Sequence, residues 1–230
     1  MISPAARLCH TGVLRVIFHS IPDSVSPGPG NPIGFSPCSR ITSCAYTSQG
    51  RRAVERAGYV IWLTGLSGSG KTTIAIKLEQ ELRDRGVPFV QRLDGDIVRS
   101  GICRDLGFSK EDRDENIRRV GYIAGLLSAN GVATLVSFIS PYREARDAAR
   151  VCCQNFIEVY VKCDFDTLVQ RDVKGLYRQA LDGKIPHFTG VSDPYEEPLH
   201  PELVVDSAGQ TLEESVRCII AYLEEKNLIG

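Results

Sequence analysis

Residues Tyr59–Thr72 read YVIWLTGLSGSGKT, and this stretch decides the fold. Its first five residues, Tyr59–Leu63, form an apolar run too short for a helix and are expected to be a buried strand. Gly65-x-x-x-x-Gly70-Lys71-Thr72 follows directly. Apolar residues then recur at helical spacing through Ile74, Leu78 and Leu82, with Gly86 placed to end the helix. Glycines between a strand and a helix let backbone N–H groups turn inward around phosphate oxygens, and the helix N-terminus favours an anion. The loop Gly65, Leu66, Ser67, Gly68, Ser69, Gly70, Lys71 and Thr72 is therefore expected to hold the phosphates of ATP. Lys71 would reach the β and γ phosphates, and the Thr72 hydroxyl would hold Mg2+. The loop alone does not separate a kinase from a GTPase or a motor ATPase.

Further along the chain, strands alternate with helices. PFVQRL (Pro88–Leu93), VATLVSF (Val132–Phe138), FIEVYV (Phe156–Val161) and LVV (Leu203–Val205) read as strands. Arg113–Asn130 reads as a helix with Ile117, Val120, Ile123, Ala124 and Leu127 on one side, and Thr211–Lys226 as a closing helix whose Thr211 and Glu214 suit a capping box. This order implies an α/β fold with a parallel sheet covered on both faces. Residues 172–200 break the rhythm, and an aperiodic stretch of that length is usually functional.

Composition narrows the class. The chain has 230 residues, room for one α/β domain, and a net charge of −1, which gives no sign of a nucleic-acid partner. No apolar run is long enough to cross a bilayer. The eight cysteines contain no CxxC spacing, so neither a zinc site nor a disulfide framework is expected, and a reducing, cytoplasmic compartment fits best. Residues 1–50 hold six of the twelve prolines, no lysine and a single acidic residue, Asp23. Residues 1–57 read as a disordered extension ahead of a domain at 58–230, with an organelle transit peptide as the alternative.

Several polar residues fall at strand ends, where open α/β sheets bind ligands. Asp94 and Asp96 follow the second strand. A carboxylate there can take a proton from an attacking hydroxyl or help hold Mg2+ through water. Arg113 and Asn116 share a helix face; Arg113 and Arg99 suit an anionic ligand, and Phe108 can stack on a base. Ser140 ends the third strand and reads as an N-cap with Pro141 at the first helical position. Lys174 and Phe188 lie in the aperiodic stretch and could belong to a lid. The LVVDSAG segment (Leu203–Gly209) imitates a GTPase DxxG, but it falls too late in the chain, and it reads as a strand end and turn.

With these residues assembled, the chain from about Tyr59 onward resembles the adenylylsulfate kinase (APS kinase) family. The resemblance is carried by GLSGSGKTT, LDGD, DLGFS with EDRDENIRRVG, SFISPYR, KGLY, and HFTG followed by DPYEEP. It implies a P-loop NTPase fold, a three-layer α/β/α arrangement with a mainly parallel five-stranded sheet and a lid segment. It also implies transfer of the ATP γ-phosphoryl to the 3′-hydroxyl of adenosine 5′-phosphosulfate, with a kinase for another small hydroxyl substrate as the alternative. Lys71, Asp96 and Ser140 would be the catalytic group, although Ser140 suits a contact role better than a phosphoserine intermediate because no adjacent base activates it. Asp94, Arg99, Arg113, Asn116, Ile139, Ser140, Lys174 and Leu176 would contact the acceptor together with Asp96, and Phe108 and Phe188 would sandwich its adenine. The resemblance further implies a homodimer, a role in sulfate assimilation and functional coupling to an ATP sulfurylase. Two departures, Ser100 for the family's usual His and Val173 for its usual Pro, remove none of these residues.

Overall fold

The structure is a computed structural model that describes residues 58–172 and 174–230. The disordered extension read over residues 1–57 lies outside the described residues. Strands β1 (Tyr59–Thr64), β2 (Val90–Asp94), β3 (Ala133–Ser137), β4 (Phe156–Lys162) and β5 (Leu203–Asp206) make one sheet in the order β2-β3-β1-β4-β5. Every pairing is parallel, so the sheet expected to be mainly parallel is wholly so.

The apolar run of β1 follows from its central position. All six of its residues are buried. Tyr59, Ile61 and Leu63 pack with Ile74, Leu78 and Leu82 of α1 (Lys71–Asp84) and with Val216, Ile219 and Leu223 of α7 (Leu212–Glu225). Val60 and Trp62 belong to a second cluster with Ile117, Val120 and Ala124 of α3 (Lys110–Ala129) and Ala149 of α4 (Arg143–Cys152). A strand with helices on both faces has no polar side, which is why its sequence does not alternate. Burying each large apolar side chain contributes about 1.5–3 kcal/mol. At the chain's end, Thr211 and Glu214 close the expected capping box on α7. Among the described residues no helix is long and apolar enough to cross a membrane.

Five features depart from the sequence reading. Asp94 does end β2, but it then caps an unforeseen helix, α2 (Gly95–Ser100), by accepting the Asp96 N–H at 3.1 Å. Helix α3 begins at Lys110 rather than Arg113, capped by Ser109 Oγ, which accepts the Asp112 N–H at 3.1 Å. The charged run ahead of Ile117 hid this start because it offers no apolar period. Ile123 and Leu127 are half-buried rather than core, since the contact side of α3 runs through Gly121, against Ala149, and Gly125, against Cys152. Ser140 is not an N-cap. Helix α4 starts at Arg143 with Tyr142 as its cap residue, and the Arg143 N–H donates to Glu196 Oε2 at 2.8 Å. Two short helices, α5 (Phe165–Arg171) and α6 (Leu176–Leu181), carry the chain into and through the region read as aperiodic. The LVVDSAG segment is a strand end and turn, with Asp206 Oδ1 accepting the Ala208 N–H at 3.0 Å.

Candidate active site

The carboxyl ends of β1, β2 and β3 open into a cavity of about 510 Å3, the crevice position of an open parallel sheet. The phosphate loop lines one side through Ser67, Gly68, Gly70, Lys71 and Thr72. Asp94, Asp96, Arg99, Phe108, Arg113 and Asn116 line another, Ile139 and Ser140 lie past the end of β3, and Lys174, Leu176 and Phe188 come from the lid segment. Three expected loop residues do not line the cavity. Gly65 and Ser69 are buried, and Leu66 lines a separate shallow pocket with Gly190 and Tyr195.

Gly65 makes the loop geometry possible. Its φ is 147°, and a Cβ there would sit 2.4 Å from the Val161 carbonyl oxygen. Lys71 opens α1 and turns back over the loop, donating from Nζ to the carbonyls of Gly65 at 2.9 Å and Leu66 at 2.7 Å. Burial, helped by the nearby Lys174 charge, pulls its amine down to about 7. The lysine therefore sits ready for an anion that would restore its charge.

Behind it, Asp94 is held by three donors. Thr72 Oγ1 donates to Oδ2 at 2.8 Å, Ser137 Oγ donates to the same oxygen at 3.1 Å, and the Asp96 N–H donates to Oδ1. Burial pushes this carboxyl up, but the hydrogen bonds outweigh it and hold it below the usual carboxylate range. Asp96 is exposed and meets Lys174 Nζ at 2.6 Å. Water screens this pair, so it contributes little stability. Its effect is to bring a lid cation onto a carboxylate beside the phosphate loop.

Ser140 is spoken for. It is 2% exposed with φ 42°, and its Oγ accepts from Trp62 Nε1 at 3.1 Å and donates to Thr64 Oγ1 at 3.0 Å. Thr64 Oγ1 in turn donates to the Ile139 carbonyl at 2.8 Å and meets the Tyr195 hydroxyl at 3.0 Å. Buried Arg146 fixes the same turn from behind, donating to the Ser140 carbonyl at 2.6 Å while paired with Glu158 at 2.7 Å.

The aromatic residues are also anchored. Arg113 Nε donates to the Phe108 carbonyl at 2.9 Å, and its Nη2 donates to the His187 carbonyl at 2.5 Å. One guanidinium thus ties Phe108 to the residue before Phe188. Arg99 lies over the Phe108 ring, 4.6 Å from its centroid, and donates to the Gly107 carbonyl. Phe188 packs edge-on against Tyr177 at 5.1 Å, and the Tyr177 hydroxyl donates to the Ser67 carbonyl at 2.8 Å. Gly190 lets this segment close on the loop: its φ is 91°, and a Cβ would come within 2.7 Å of Leu66 Cδ2.

This is a nucleotide-phosphate loop facing a carboxylate and two aromatic rings across one cavity. The family model for adenylylsulphate kinase matches residues 57–206. The chain belongs to the adenylylsulphate kinase family. It is 58% identical over 167 residues to a probable adenylyl-sulfate kinase of Pseudomonas aeruginosa, covering 73% of this chain and 78% of that one. A probable bifunctional SAT/APS kinase of Sorangium cellulosum is 52% identical over 169 residues, which span 74% of this chain and 29% of that protein. Among solved structures, the APS kinase of Mycobacterium tuberculosis in complex with AMPPNP and APS is similar with a TM-score of 0.70 and 41% identity, over 73% of this chain and 98% of that one.

Within this adenylylsulphate kinase chain, the sequence reading placed Tyr177 and Thr189 in the lid segment without giving either a role of its own, and it missed the Trp62–Ser140–Thr64–Tyr195 network. Tyr177 and Thr189 stand in the KGLY and HFTG segments, so a signal existed. The network had none, because its members are brought together only by the fold.

Proposed function

We propose that this chain is an ATP-dependent adenylylsulfate kinase, moving the γ-phosphoryl group of ATP to the 3′-hydroxyl of adenosine 5′-phosphosulfate and releasing ADP and 3′-phosphoadenylyl sulfate. The observation that carries it is the single cavity in which the phosphate loop faces Asp96, with Phe108 and Phe188 on the acceptor side. Lys71 and the loop N–H groups hold the donor phosphates. Asp96 accepts the proton of the 3′-hydroxyl as its oxygen bonds to the γ-phosphorus and the bond to the β–γ bridging oxygen breaks. Lys174, beside Asp96, adds a positive charge next to the transferring phosphoryl group, where negative charge develops. Arg99, Arg113, Asn116, Ile139 and Leu176 shape the acceptor side, and the two phenylalanines take the adenine between them. Such a transfer needs positioning and charge stabilisation more than covalent chemistry.

Thr72 and Asp94 fit Mg2+, which favours hard oxygen ligands and is commonly held by few protein groups together with substrate phosphates. When bound there, the ion would neutralise charge on the transferring phosphoryl group. The family unit is residues 58–230, acting as a homodimer in the cytoplasm within sulfate assimilation. Free thiols at Cys103, Cys163 and Cys218 suit that reducing compartment. The bifunctional Sorangium relative supports coupling to an ATP sulfurylase. The test is turnover by the purified chain with ATP, Mg2+ and adenylyl sulfate against a panel of other small hydroxyl acceptors. Formation of 3′-phosphoadenylyl sulfate is expected; phosphorylation of another acceptor in its place would sink the proposal.

Two further outcomes follow from the geometry. Ser140 acts as a positioning group, so Ser140→Ala keeps turnover within about fivefold of the parent, the size of one repositioned hydrogen bond, and lowers stability by about 1–3 kcal/mol by orphaning Trp62 Nε1. Loss of all turnover in a folded variant would contradict this. The lysine amine at about 7 is depressed from its ordinary value of 10.5, so between those pH values the unfolded chain binds more protons. This group's contribution to stability therefore rises with pH across that window. ATP brings anionic charge to Lys71 and raises its pKa again, so binding at about pH 8 takes up a proton. Calorimetry in buffers of different ionisation enthalpy should detect that uptake in the parent and not in Lys71→Ala.

A further inference from the structure

Four hydrogen bonds join the start of α4 and the turn before it to residues 193–197, the stretch that returns from the lid segment. The Glu196 N–H donates to the Pro141 carbonyl at 2.8 Å, and Glu196 Oε2 accepts the Arg143 N–H. Arg143 Nε donates to the Glu197 carbonyl at 2.7 Å, and Arg146 Nη2 donates to the Glu196 carbonyl at 2.8 Å. Arg146 differs from the other donors. It is 2% exposed, and its one guanidinium reaches three separate elements. Nη1 holds the Ser140 carbonyl, Nη2 the Glu196 carbonyl and Nε the Glu158 carboxylate on β4. The same group lies 6.0 Å from the Tyr195 ring, whose hydroxyl meets Thr64. Arg146 does not line the cavity, whereas Ile139, Ser140 and Pro141 do.

Stability alone is a poor reason for this arrangement. An ion pair taken out of water gives up hydration that its own attraction hardly replaces, so a well-packed apolar pair of similar size is often as stable. An apolar side chain cannot hold two carbonyls at a fixed separation. A planar fork of donors can, and an ammonium on a flexible stem cannot. The turn requires such a hold. Ser140 has a left-handed backbone with φ 42°, a conformation uncommon outside glycine, and it persists only where the surroundings enforce it. Its carbonyl is the one that Arg146 takes. Among the described residues, none of the hydrogen bonds of Arg146 reaches the phosphate loop.

We propose, on the reading of this side of the cavity as the acceptor site, that Arg146 is a positioning residue for the acceptor. It locks the turn at residues 139–141 to the returning lid stretch, so that both hold one geometry. The turn in turn fixes where the acceptor hydroxyl stands before the donor phosphate. The Ser140 hydroxyl is dispensable on this account because the turn is held by its carbonyl, from the side away from the cavity.

The experiment compares the parent with Arg146→Lys and with the double variant Arg146→Met, Glu158→Leu. Lysine keeps a charge beside Glu158, which also pairs with Arg150, but it cannot span both carbonyls. The double variant removes both charges and leaves Arg150 paired with Glu202, so its Tm should return close to the parent's. In both variants kcat/KM for adenylyl sulfate should fall about a hundredfold, the cost of roughly 1 Å of misplacement at the reacting centre. The Kd of a non-hydrolysable ATP analogue should change less than about twofold. A purely structural role would tie acceptor turnover to Tm. The double variant would then regain both together, or ATP-analogue binding would be lost along with turnover. Either result, or parent-like acceptor kinetics in Arg146→Lys, overturns the assignment and leaves the kinase reading standing. Arg146→Lys decides alone if the double variant melts early. A parent chain that does not phosphorylate adenylyl sulfate overturns the acceptor reading and this assignment with it.

Discussion

Replacing Lys71 with alanine lowers kcat/KM about a thousandfold and leaves the fold intact, a loss of the size produced by removing a key charge-stabilising donor. The amine donates to the Gly65 and Leu66 carbonyls and stands at the start of α1, inside the loop that we propose holds the donor phosphates. Its charged form is disfavoured by burial until an anion arrives. Removing it therefore strips stabilisation from the bound phosphates and relieves a cost in the free chain. Steady-state kinetics with a parallel thermal melt check both halves: turnover collapses, and Tm does not fall. Unchanged turnover would mean that Gly65–Thr72 does not hold the donor.

Asp96→Asn separates chemistry from binding. The side chain is exposed, so the substitution removes a base without opening the core. Its kcat should drop about a hundredfold to ten-thousandfold, the range for loss of a positioned general base. Affinity for ATP, measured by calorimetry with a non-hydrolysable analogue, should change less than about threefold, because the Asp96 side chain hydrogen-bonds to Lys174 of the lid and acts on the loop only through its charge near Lys71. Equal loss of turnover and ATP binding would instead place Asp96 on the metal or structural side, where the hydrogen bonds of Asp94 to Thr72 and Ser137 already stand.

How much of this was legible in the sequence depended on how local each feature is. The buried strand β1 could be read because helices cover both of its faces, which leaves a continuous apolar run. The phosphate loop could be read because its glycines, Lys71 and Thr72 are contiguous. Helix α2 could not, since its start is an Asp-Gly pair that equally suits a turn, and only the Asp94 carboxylate closing on the Asp96 N–H decides between them. On α3, Ile117, Val120 and Ala124 are buried as read, but Ile123 and Leu127 were counted with them because Gly121 and Gly125 pack closely while adding nothing to a hydrophobic pattern. Ser140 was read locally as a cap. Its partners lie far away in sequence, with Trp62 78 residues and Thr64 76 residues distant, so propensity could not see them. Arg113 was expected to fork onto an anion. The fold spends two of its donors on the Phe108 and His187 carbonyls, a use that exists only once the lid segment reaches α3.

The central claim is that donor and acceptor share one cavity and exchange the phosphoryl group directly, with Asp96 as base and Ser140 as scaffold. A single-turnover rapid-quench experiment with γ-labelled ATP, Mg2+ and adenylyl sulfate tests it most directly. Label should pass from ATP to the 3′-phosphate of 3′-phosphoadenylyl sulfate with no labelled protein at any time, and at a comparable rate in Ser140→Ala. Label trapped on the chain ahead of product, or transferred to no part of adenylyl sulfate, would contradict it.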